Sequence, residues 1–405
     1  MNRFMTPGPR QSLIAAGGIY TAQSLVGGLT FLGVPAVLRA ENVALDQIGL
    51  VSLAMLVWAL KFLWATPVEK WRLGIDGARR SRLLILIGEA IVVAALVAFG
   101  LASGAGFTVI LALLLVMAIA SATVDIACDA FLIEQFPSER RGLANVAQVG
   151  GGYLGMIAGS GIFVAAYAQF GWMIAAFFLA AVVLILCLPM YGVSEVKSLP
   201  VRQLSAPGVL NALRRTPVLI GIAMAIFFEL GGRLAQALSG PFLIDAGLGL
   251  ATLGLLNGGG GVAAGLAGTA LGGLLSHRLG AGRAMLAVAL LQAATLCGLA
   301  LVILLQPHNL SLLVVLFIIE GAVMAAGFVT SYSRLMALTS PAQPGIDFTL
   351  FQCASAIAAA LCGIAGGLIA ARIGYGALFA LAALAAFAAP LILILLERGL
   401  KKEQP

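Results

Sequence analysis

The sequence predicts an all-α membrane protein in which twelve transmembrane helices form two pseudo-symmetric bundles of six. Of its 405 residues, 61% are apolar and only 10% are charged, whereas soluble domains carry about 25% charged residues. The apolar residues come in runs of about 20 or more, the length at which a helix crosses a bilayer. Transmembrane β-barrels alternate apolar and polar residues and would not give such continuous runs.

Twelve apolar runs are long enough to span a membrane. They lie approximately at residues 12–38, 47–68, 82–102, 107–135, 142–168, 171–192, 217–244, 250–276, 284–305, 311–339, 346–371 and 375–397. Helix bundles in lipid associate through small residues that let backbones approach, and the chain contains 50 glycines. In the fifth run, Gly151, Gly155 and Gly159 recur at every fourth position and predict a packing seam.

The loops between the runs alternate in charge. The basic set comprises Lys70, Arg72, Arg79, Arg80, Arg82, Arg140, Arg141, Lys197, Arg202, Arg214, Arg215, Arg278, Arg283, Arg398, Lys401 and Lys402. The opposite set has only Arg39 and Arg372, which places both termini in the cytoplasm by the positive-inside rule. We therefore expect a multi-pass protein of the bacterial inner membrane. Its net charge of +7 is expected to come from cytoplasmic loops that lie beside anionic lipid, and no nucleic-acid partner is expected.

The longest polar interruption separates six runs from six. The predicted domains are an N-terminal six-helix bundle, a cytoplasmic linker and a C-terminal six-helix bundle, at residues 1–192, 193–216 and 217–405. The halves resemble each other weakly, since Pro35 near the end of the first run is echoed by Pro241 near the end of the seventh. Two parallel six-helix repeats are a common transporter architecture, and they predict a substrate path between the halves.

Two sets of motifs carry a family resemblance. The loop Gly273–Arg283 resembles the signature of the major facilitator superfamily. That signature is a glycine followed by an acid and a base, and then by a second glycine and another base. In this chain His277 stands in place of the acid. The stretches Lys61–Ala65, Asp125–Ala130 and Glu139–Gly142 resemble one branch of that family. This branch contains the AmpG-like muropeptide permeases and the single-component siderophore permeases of the rhizobactin and pyochelin type.

The resemblance implies the major facilitator fold and a secondary active transporter rather than an enzyme. Ala16–Tyr20 and Arg233–Gln236 favour the siderophore permeases, so we expect proton-coupled import of a siderophore, as its iron complex, by alternating access. Muropeptide uptake is the alternative, and drug export is a more distant one. The chain has no Gly-Lys-Ser or Gly-Lys-Thr phosphate loop, so ATP is not expected to drive transport.

Neither a metal site nor a cofactor is expected. The two histidines are too few to form a metal site alone, and the five cysteines lie in apolar runs without paired spacing. We expect the protein to act as a monomer, with a small molecule and protons as its partners.

Two carboxylates in the fourth run are the main candidates for proton coupling or substrate binding. Asp125 lies about 15 Å from the cytoplasmic end of the predicted helix, and Asp129 lies one turn away on the same face. Two ionised acids at this spacing repel each other in a low dielectric, so at least one needs a proton or a basic partner. The alternative is that both acids are structural anchors, with Lys61 as a partner.

The seventh run carries a second candidate site. Glu229 and Arg233 are four residues apart and can pair along one helix face. A structural ion pair is one interpretation, and attraction of an anionic substrate group by Arg233 is the other.

Glu320 in the tenth run is a further proton-site candidate, with a hydrogen-bonded structural acid as the alternative. Glu89 in the third run is expected to pair with an inner base such as Lys61 or Arg141.

Polar residues in three runs are expected to line the substrate path. They are Tyr20, Gln23 and Ser24 in the first run, Gln148 in the fifth and Tyr332 in the tenth. An aromatic ring with amide and hydroxyl groups suits a moderately polar organic substrate. Ordinary helix packing is the alternative for Tyr20.

Charges at the predicted cytoplasmic ends of the helices are expected to form a gate. The candidates are Glu69, Lys70, Glu139, Arg140, Arg141, Arg278 and Arg283. Opposite charges at adjacent helix ends can pair in one conformation and separate in another. We expect Glu69 and Glu139 to form the gate with Arg140 and Arg141.

Overall fold

The computed structural model describes residues 9–41, 50–51, 53–73, 78–137, 140–195, 208–248, 252, 256–305 and 309–403. The helices are α1 Pro9–Gly28, α2 Val34–Ala40, α3 Leu53–Leu60, α4 Phe62–Arg72, α5 Ser81–Leu101, α6 Phe107–Gln135, α7 Arg141–Ile157, α8 Phe163–Tyr191, α9 Val209–Leu213, α10 Thr216–Ala237, α11 Ser239–Asp245, α12 Gly261–Leu279, α13 Ala281–Leu305, α14 Leu310–Met336, α15 Pro344–Ile373 and α16 Tyr375–Glu403. The predicted all-α fold is confirmed.

Nine stretches of the described residues are long and apolar enough to cross a membrane. The fifth and sixth predicted runs fall within one of these stretches, Arg141–Tyr191. They are nonetheless distinct helices, because Gly171 interrupts α8 with φ 79° and ψ 176°, a conformation that favours glycine. The predicted runs 47–68 and 250–276 lie partly outside the described residues, and the total of twelve helices stays a prediction.

The chain forms two compact units. The first unit comprises residues 1–137, 147–212 and 340–349, and the second comprises residues 138–146, 213–339 and 350–405. Two short segments, 138–146 and 340–349, are therefore grouped with the half of the chain to which they do not belong in sequence. The domain boundaries at residues 192 and 217 stay a prediction.

Within the first unit, α1 and α7 pack backbone against backbone along the predicted glycine seam. A Cβ atom on Gly151 would lie 2.8 Å from the carbonyl oxygen of Gly17, and one on Gly155 would lie 2.7 Å from the amide nitrogen of Leu25. Only hydrogen fits at these positions. The seam brings the polar side chains of α1 close to those of α7.

Each helix of this pair is followed by a π-helical turn. These turns are Leu29–Gly33, between α1 and α2, and Ala158–Ile162, between α7 and α8. A π-turn inserts one extra residue into a helix and locally alters which residues face a neighbour. A third π-turn, Leu256–Gly260, precedes α12 and includes part of the Gly258–Gly261 run, so these glycines accompany a local change of helix geometry.

Each unit has an aromatic cluster. In the first unit, the Trp172 ring lies 4.5 Å from Phe99 and 5.9 Å from Phe163 between centroids, and its Nε1 donates to the Phe99 carbonyl at 2.7 Å. In the second unit, Phe242 lies 5.2 Å from Tyr375 and 5.1 Å from Phe379. Edge-on aromatic contacts of this kind stabilise packing beyond their buried area.

We expect Gly155→Ala to destabilise the protein by about 1–3 kcal/mol, the usual cost of overpacking. The added methyl group would strike the α1 backbone, and neither helix can relax without parting the seam. Gly161→Ala is the matched control, since a Cβ on Gly161 meets nothing within 4 Å. Thermal unfolding of the detergent-purified proteins measures both effects, and equal melting temperatures for the two variants would contradict the seam.

Candidate functional site

Six polar side chains of the first unit form a buried network, here called the α6 acid cluster. Its members are Tyr20, Gln23, Lys61, Asp125, Asp129 and Gln148. Four separate stretches of chain supply them. All six residues, counted with their backbones, are at least nine-tenths buried. Charged groups at such sites in membrane proteins persist only where they are paired or functional.

Asp125 is held by a cation and an amide. The Lys61 ammonium donates to Asp125 Oδ2 in a buried ion pair, in which the side chains are only 3% and 12% exposed. Gln23, with its amide oriented to satisfy both of its ends, donates to Asp125 Oδ1 at 3.0 Å and accepts from the Asp125 amide at 3.2 Å. The carboxylate therefore has a partner on each oxygen.

Asp129 has a different set of partners. The Tyr20 hydroxyl donates to Asp129 Oδ1 at 2.6 Å, and Gln148 Nε2 donates to the same oxygen at 2.9 Å. Neither donor carries a charge. The Lys61 ammonium pairs with Asp125 and offsets part of the repulsion expected between the two acids.

Local helix geometry explains how these groups meet. Asp125 and Asp129 are one turn apart on α6, so they present their carboxylates to neighbouring helices from one face. Lys61 lies in the turn between α3 and α4. The nearby Trp64 Nε1 donates to the Thr123 hydroxyl at 3.2 Å, which holds α4 against α6.

Ser24 is the predicted cavity residue of α1 that does not belong to the cluster. It is half-buried, and its side chain lies beside Gly152 and Gly155 in the helix seam. Its position next to these glycines indicates helix packing.

The second unit contains another buried charge cluster. Arg233 donates through Nε to Glu229 Oε2 at 3.0 Å, and the Ser355 hydroxyl donates to the same oxygen. The guanidinium also lies 5.0 Å from the centroid of the Phe328 ring, a cation–π geometry. Arg233 keeps 23% of its side chain exposed, whereas Glu229 is 4% exposed, so the cation is the more accessible member of the pair.

Glu320 and Tyr332 lie on α14 of this unit. Glu320 is buried, and its Oε1 atom has no hydrogen-bond partner among the described residues. A Cβ atom on Gly232 would lie 3.5 Å from that oxygen and would also meet the amide of Gln292, so the two side chains flank the same glycine. The Tyr332 ring lies 5.9 Å from Phe328 and is half-buried.

Among the predicted gate residues, Glu69 is buried in an ion network. Arg72 binds it through two parallel bonds, Nε to Oε2 at 2.9 Å and Nη2 to Oε1 at 2.7 Å. Arg72 also binds Glu134 Oε2 at 2.8 Å, and Arg79 lies 3.1 Å from the other oxygen of Glu134. Burial disfavours the charge of Arg72, but the carboxylates of Glu69 and Glu134 outweigh this effect and raise its pKa.

This network lies against the start of α15. A Cβ atom on Gly345 would lie 2.6 Å from Glu69 Oε2 and 3.2 Å from the carbonyl oxygen of Ile126. A carboxylate at the first turn of a helix is stabilised by the unpaired amides and the helix dipole. Glu69 therefore packs against the first turn of α15, and it is bound by Arg72 rather than by the predicted Arg140 or Arg141.

The remaining gate candidates are placed separately. Lys70, Arg140, Arg278 and Arg283 are exposed, and Glu139 lies outside the described residues. Arg141 Nη1 donates to the Met336 carbonyl at 2.7 Å within the second unit. A gating role for these residues stays a prediction.

Several contacts of the two sites were not predicted from the sequence. The sequence analysis did not predict a role for four residues that make these contacts, namely Glu134, Ser355, Phe328 and Gln292. Glu134 could have been found, because an acid at the end of an apolar helix and beside a basic loop indicates an ion pair. Arg334 binds Glu397 through two bonds of 2.5 and 2.8 Å, a pairing that the sequence analysis did not predict. The apolar neighbours of Ser355 give no local signal for its bond to Glu229.

The model of the Major Facilitator Superfamily matches residues 14–305 and 225–405. The chain belongs to this superfamily. It is therefore a multi-pass membrane protein and a secondary transporter, and the predicted fold of two helical bundles is confirmed.

One relative is the anhydromuropeptide permease of Escherichia coli strain K12. It is 28% identical over 399 residues, which cover 96% of this chain and 80% of the relative. The similarity extends across both halves, whereas the motifs Lys61–Ala65 and Asp125–Ala130 lie only in the first.

Solved structures share the fold at lower identity. A bacterial homologue of the iron transporter ferroportin, in an outward-facing state, has a TM-score of 0.72 and 15% identity and covers 96% of this chain and 99% of its own. FucP, in the outward conformation, has a TM-score of 0.72 and 14% identity and covers 96% and 98%. At these identities the likeness establishes the fold alone.

The Lys61–Asp125 pair predicts a distinctive stability pattern. Lys61→Met and Asp125→Leu should each destabilise the protein by about 3–5 kcal/mol, because each leaves a buried charge without its partner. The double variant should lose less than the sum of the two, since it buries no orphan charge. Thermal unfolding measures this cycle.

Lys70→Met serves as the control, because Lys70 is exposed and such substitutions usually stay within about 0.5 kcal/mol. Strictly additive losses in the double variant would show that Lys61 and Asp125 do not depend on each other.

Proposed function

We propose that this protein imports an anhydromuropeptide across the bacterial inner membrane by alternating access, coupled to proton entry, with both termini in the cytoplasm. The observation that carries the proposal is similarity to an anhydromuropeptide permease over 96% of the chain. The buried α6 acid cluster supports the coupling, and the accessible Arg233 supports an anionic cargo.

The chemistry of the cargo fits the second unit. A muropeptide joins amino sugars to a short peptide, so it carries hydroxyls, amides and carboxylates. The guanidinium of Arg233 is fixed over Phe328 and by Glu229, yet it remains 23% exposed. An oriented guanidinium is well suited to a carboxylate because it can donate two parallel hydrogen bonds.

The chemistry of coupling fits the first unit. Protonation of Asp125 would cancel its attraction for Lys61. Because Lys61 lies between α3 and α4 and Asp125 lies on α6, binding of a proton would change how strongly α6 is held to these helices. A conformational change can be driven only by a difference in binding free energy between two states. The ion pair supplies such a difference, since it is stable when Asp125 is charged and weakened when Asp125 is neutral.

Siderophore import is the less favoured reading. It depends on Ala16–Tyr20 and Arg233–Gln236, two short stretches. The relative that spans nearly the whole chain is a muropeptide permease, which favours the alternative given by the sequence.

The cargo is tested by counterflow in proteoliposomes that contain the purified protein. We expect exchange of anhydromuropeptide and no exchange of ferric pyochelin or ferric rhizobactin. Exchange of a ferric siderophore but not of anhydromuropeptide would overturn the proposal. Empty liposomes and liposomes with a nonspecific membrane protein control for leakage.

A second arm examines Arg233. Arg233→Gln should weaken the apparent affinity for anhydromuropeptide about 10-fold or more, since a charged hydrogen bond contributes about 1.5–3 kcal/mol. Arg233→Lys should keep the charge and lose the paired geometry, so its affinity should be intermediate. Equal affinities for all three proteins would remove Arg233 from the site.

A further inference from the structure

Glu89 is a buried acid that the proposed mechanism does not use. It lies in the middle of α5, its residue is 2% exposed, and it packs where α5 meets α6 and α8. Its neighbour Gly88 approaches α6 so closely that a Cβ atom there would strike the side chain of Val124. Tight packing therefore surrounds the carboxyl group.

Neither carboxyl oxygen of Glu89 has a hydrogen-bond partner among the described residues. The expected pairing with Lys61 or Arg141 is therefore wrong. Lys61 instead binds Asp125, and Arg141 donates to the Met336 carbonyl. Other buried acids of this unit have partners: Arg72 binds Glu69, Lys61 binds Asp125, and Tyr20 donates to Asp129. Glu89 thus differs from them in kind.

Within the part of the chain that the structure describes, no charged group acts on Glu89. The titratable side chains there that feel its charge include Cys128 of α6 and Cys187 of α8. Thiols are neutral near pH 7 unless activated. An ionised carboxylate in such surroundings would be unpaired at the depth of the membrane, which is strongly unfavourable.

Cys128 connects Glu89 to the α6 acid cluster. It lies in the helical turn between Asp125 and Asp129. Cys128 is close enough to feel the charges of Asp125, Asp129 and Glu89. A change in the charge of Asp125 or Asp129 would be felt across that turn.

We propose that Glu89 is a second proton-binding group of the transport cycle, which holds a proton in the described conformation and releases it when α5, α6 and α8 rearrange. The role in transport rests on the proposed function. The protonated state in the described conformation does not, because it follows from burial and from the lack of a partner among the described residues.

The test compares Glu89→Gln with the wild type in proteoliposomes. Glutamine has the shape of the protonated acid and cannot release a proton. We expect the variant to keep exchange of anhydromuropeptide and to lose accumulation driven by a pH gradient. Cys187→Ala is the matched control, since it alters the same packed layer and leaves the carboxyl group, and it should keep both activities.

Infrared spectroscopy of the reconstituted protein provides a second measurement that requires no cargo. One carbonyl stretch of a protonated carboxylic acid that the wild type shows in neutral buffer should be missing from Glu89→Gln, whereas any stretch from another buried acid such as Glu320 should be unchanged. If the wild type transports no anhydromuropeptide, the proposed function fails and this measurement still decides the protonation state.

Three results would overturn the inference. One is the same infrared band in the variant and the wild type. Another is full gradient-driven accumulation by Glu89→Gln. The third is a folded variant that has lost exchange together with accumulation, which would make Glu89 a structural residue.

Discussion

A lysine ammonium and an aspartate carboxylate lie side by side in a membrane-spanning bundle, and neither can lose its partner without leaving a charge in a low-dielectric interior. The Lys61–Asp125 pair consequently constrains the helices that carry it. Lys61 must remain at the turn between α3 and α4, and Gln23 must reach across from α1 to the second oxygen of Asp125. The glycine seam makes this possible by bringing α1 and α7 into backbone contact.

In the proposed mechanism the same constraint would let the first unit respond to protons. Tyr20 and Gln148 donate to Asp129, and Lys61 pairs with Asp125. Glu89 has no hydrogen-bond partner among the described residues. Three acids in one bundle therefore meet three different environments. Groups whose surroundings favour different protonation states are well suited to exchange a proton in sequence. In the second unit Arg233 is the more accessible member of its ion pair, and the proposed function assigns it the anionic group of the cargo.

Hydropathy and glycine spacing predicted most of the fold, because continuous apolar runs have few alternatives to spanning helices. The sequence also identified Tyr20, Gln23, Asp125, Asp129 and Gln148 as candidates, since polar groups are rare in such runs. It did not assign their partners. Which face of a helix meets which neighbour depends on packing and on π-turns such as Leu29–Gly33, and these leave no periodic signal. For that reason Glu89 was wrongly matched with Lys61, and Glu69 was not matched with Arg72.

The central claim is that proton entry depends on Asp125. Its most direct test is the internal pH of proteoliposomes, followed with an entrapped pH-sensitive dye while anhydromuropeptide is added outside. The wild type should acidify the interior as the cargo enters, and Asp125→Asn, which cannot accept a proton in the same way, should not. Equal acidification by Asp125→Asn and the wild type would contradict the account.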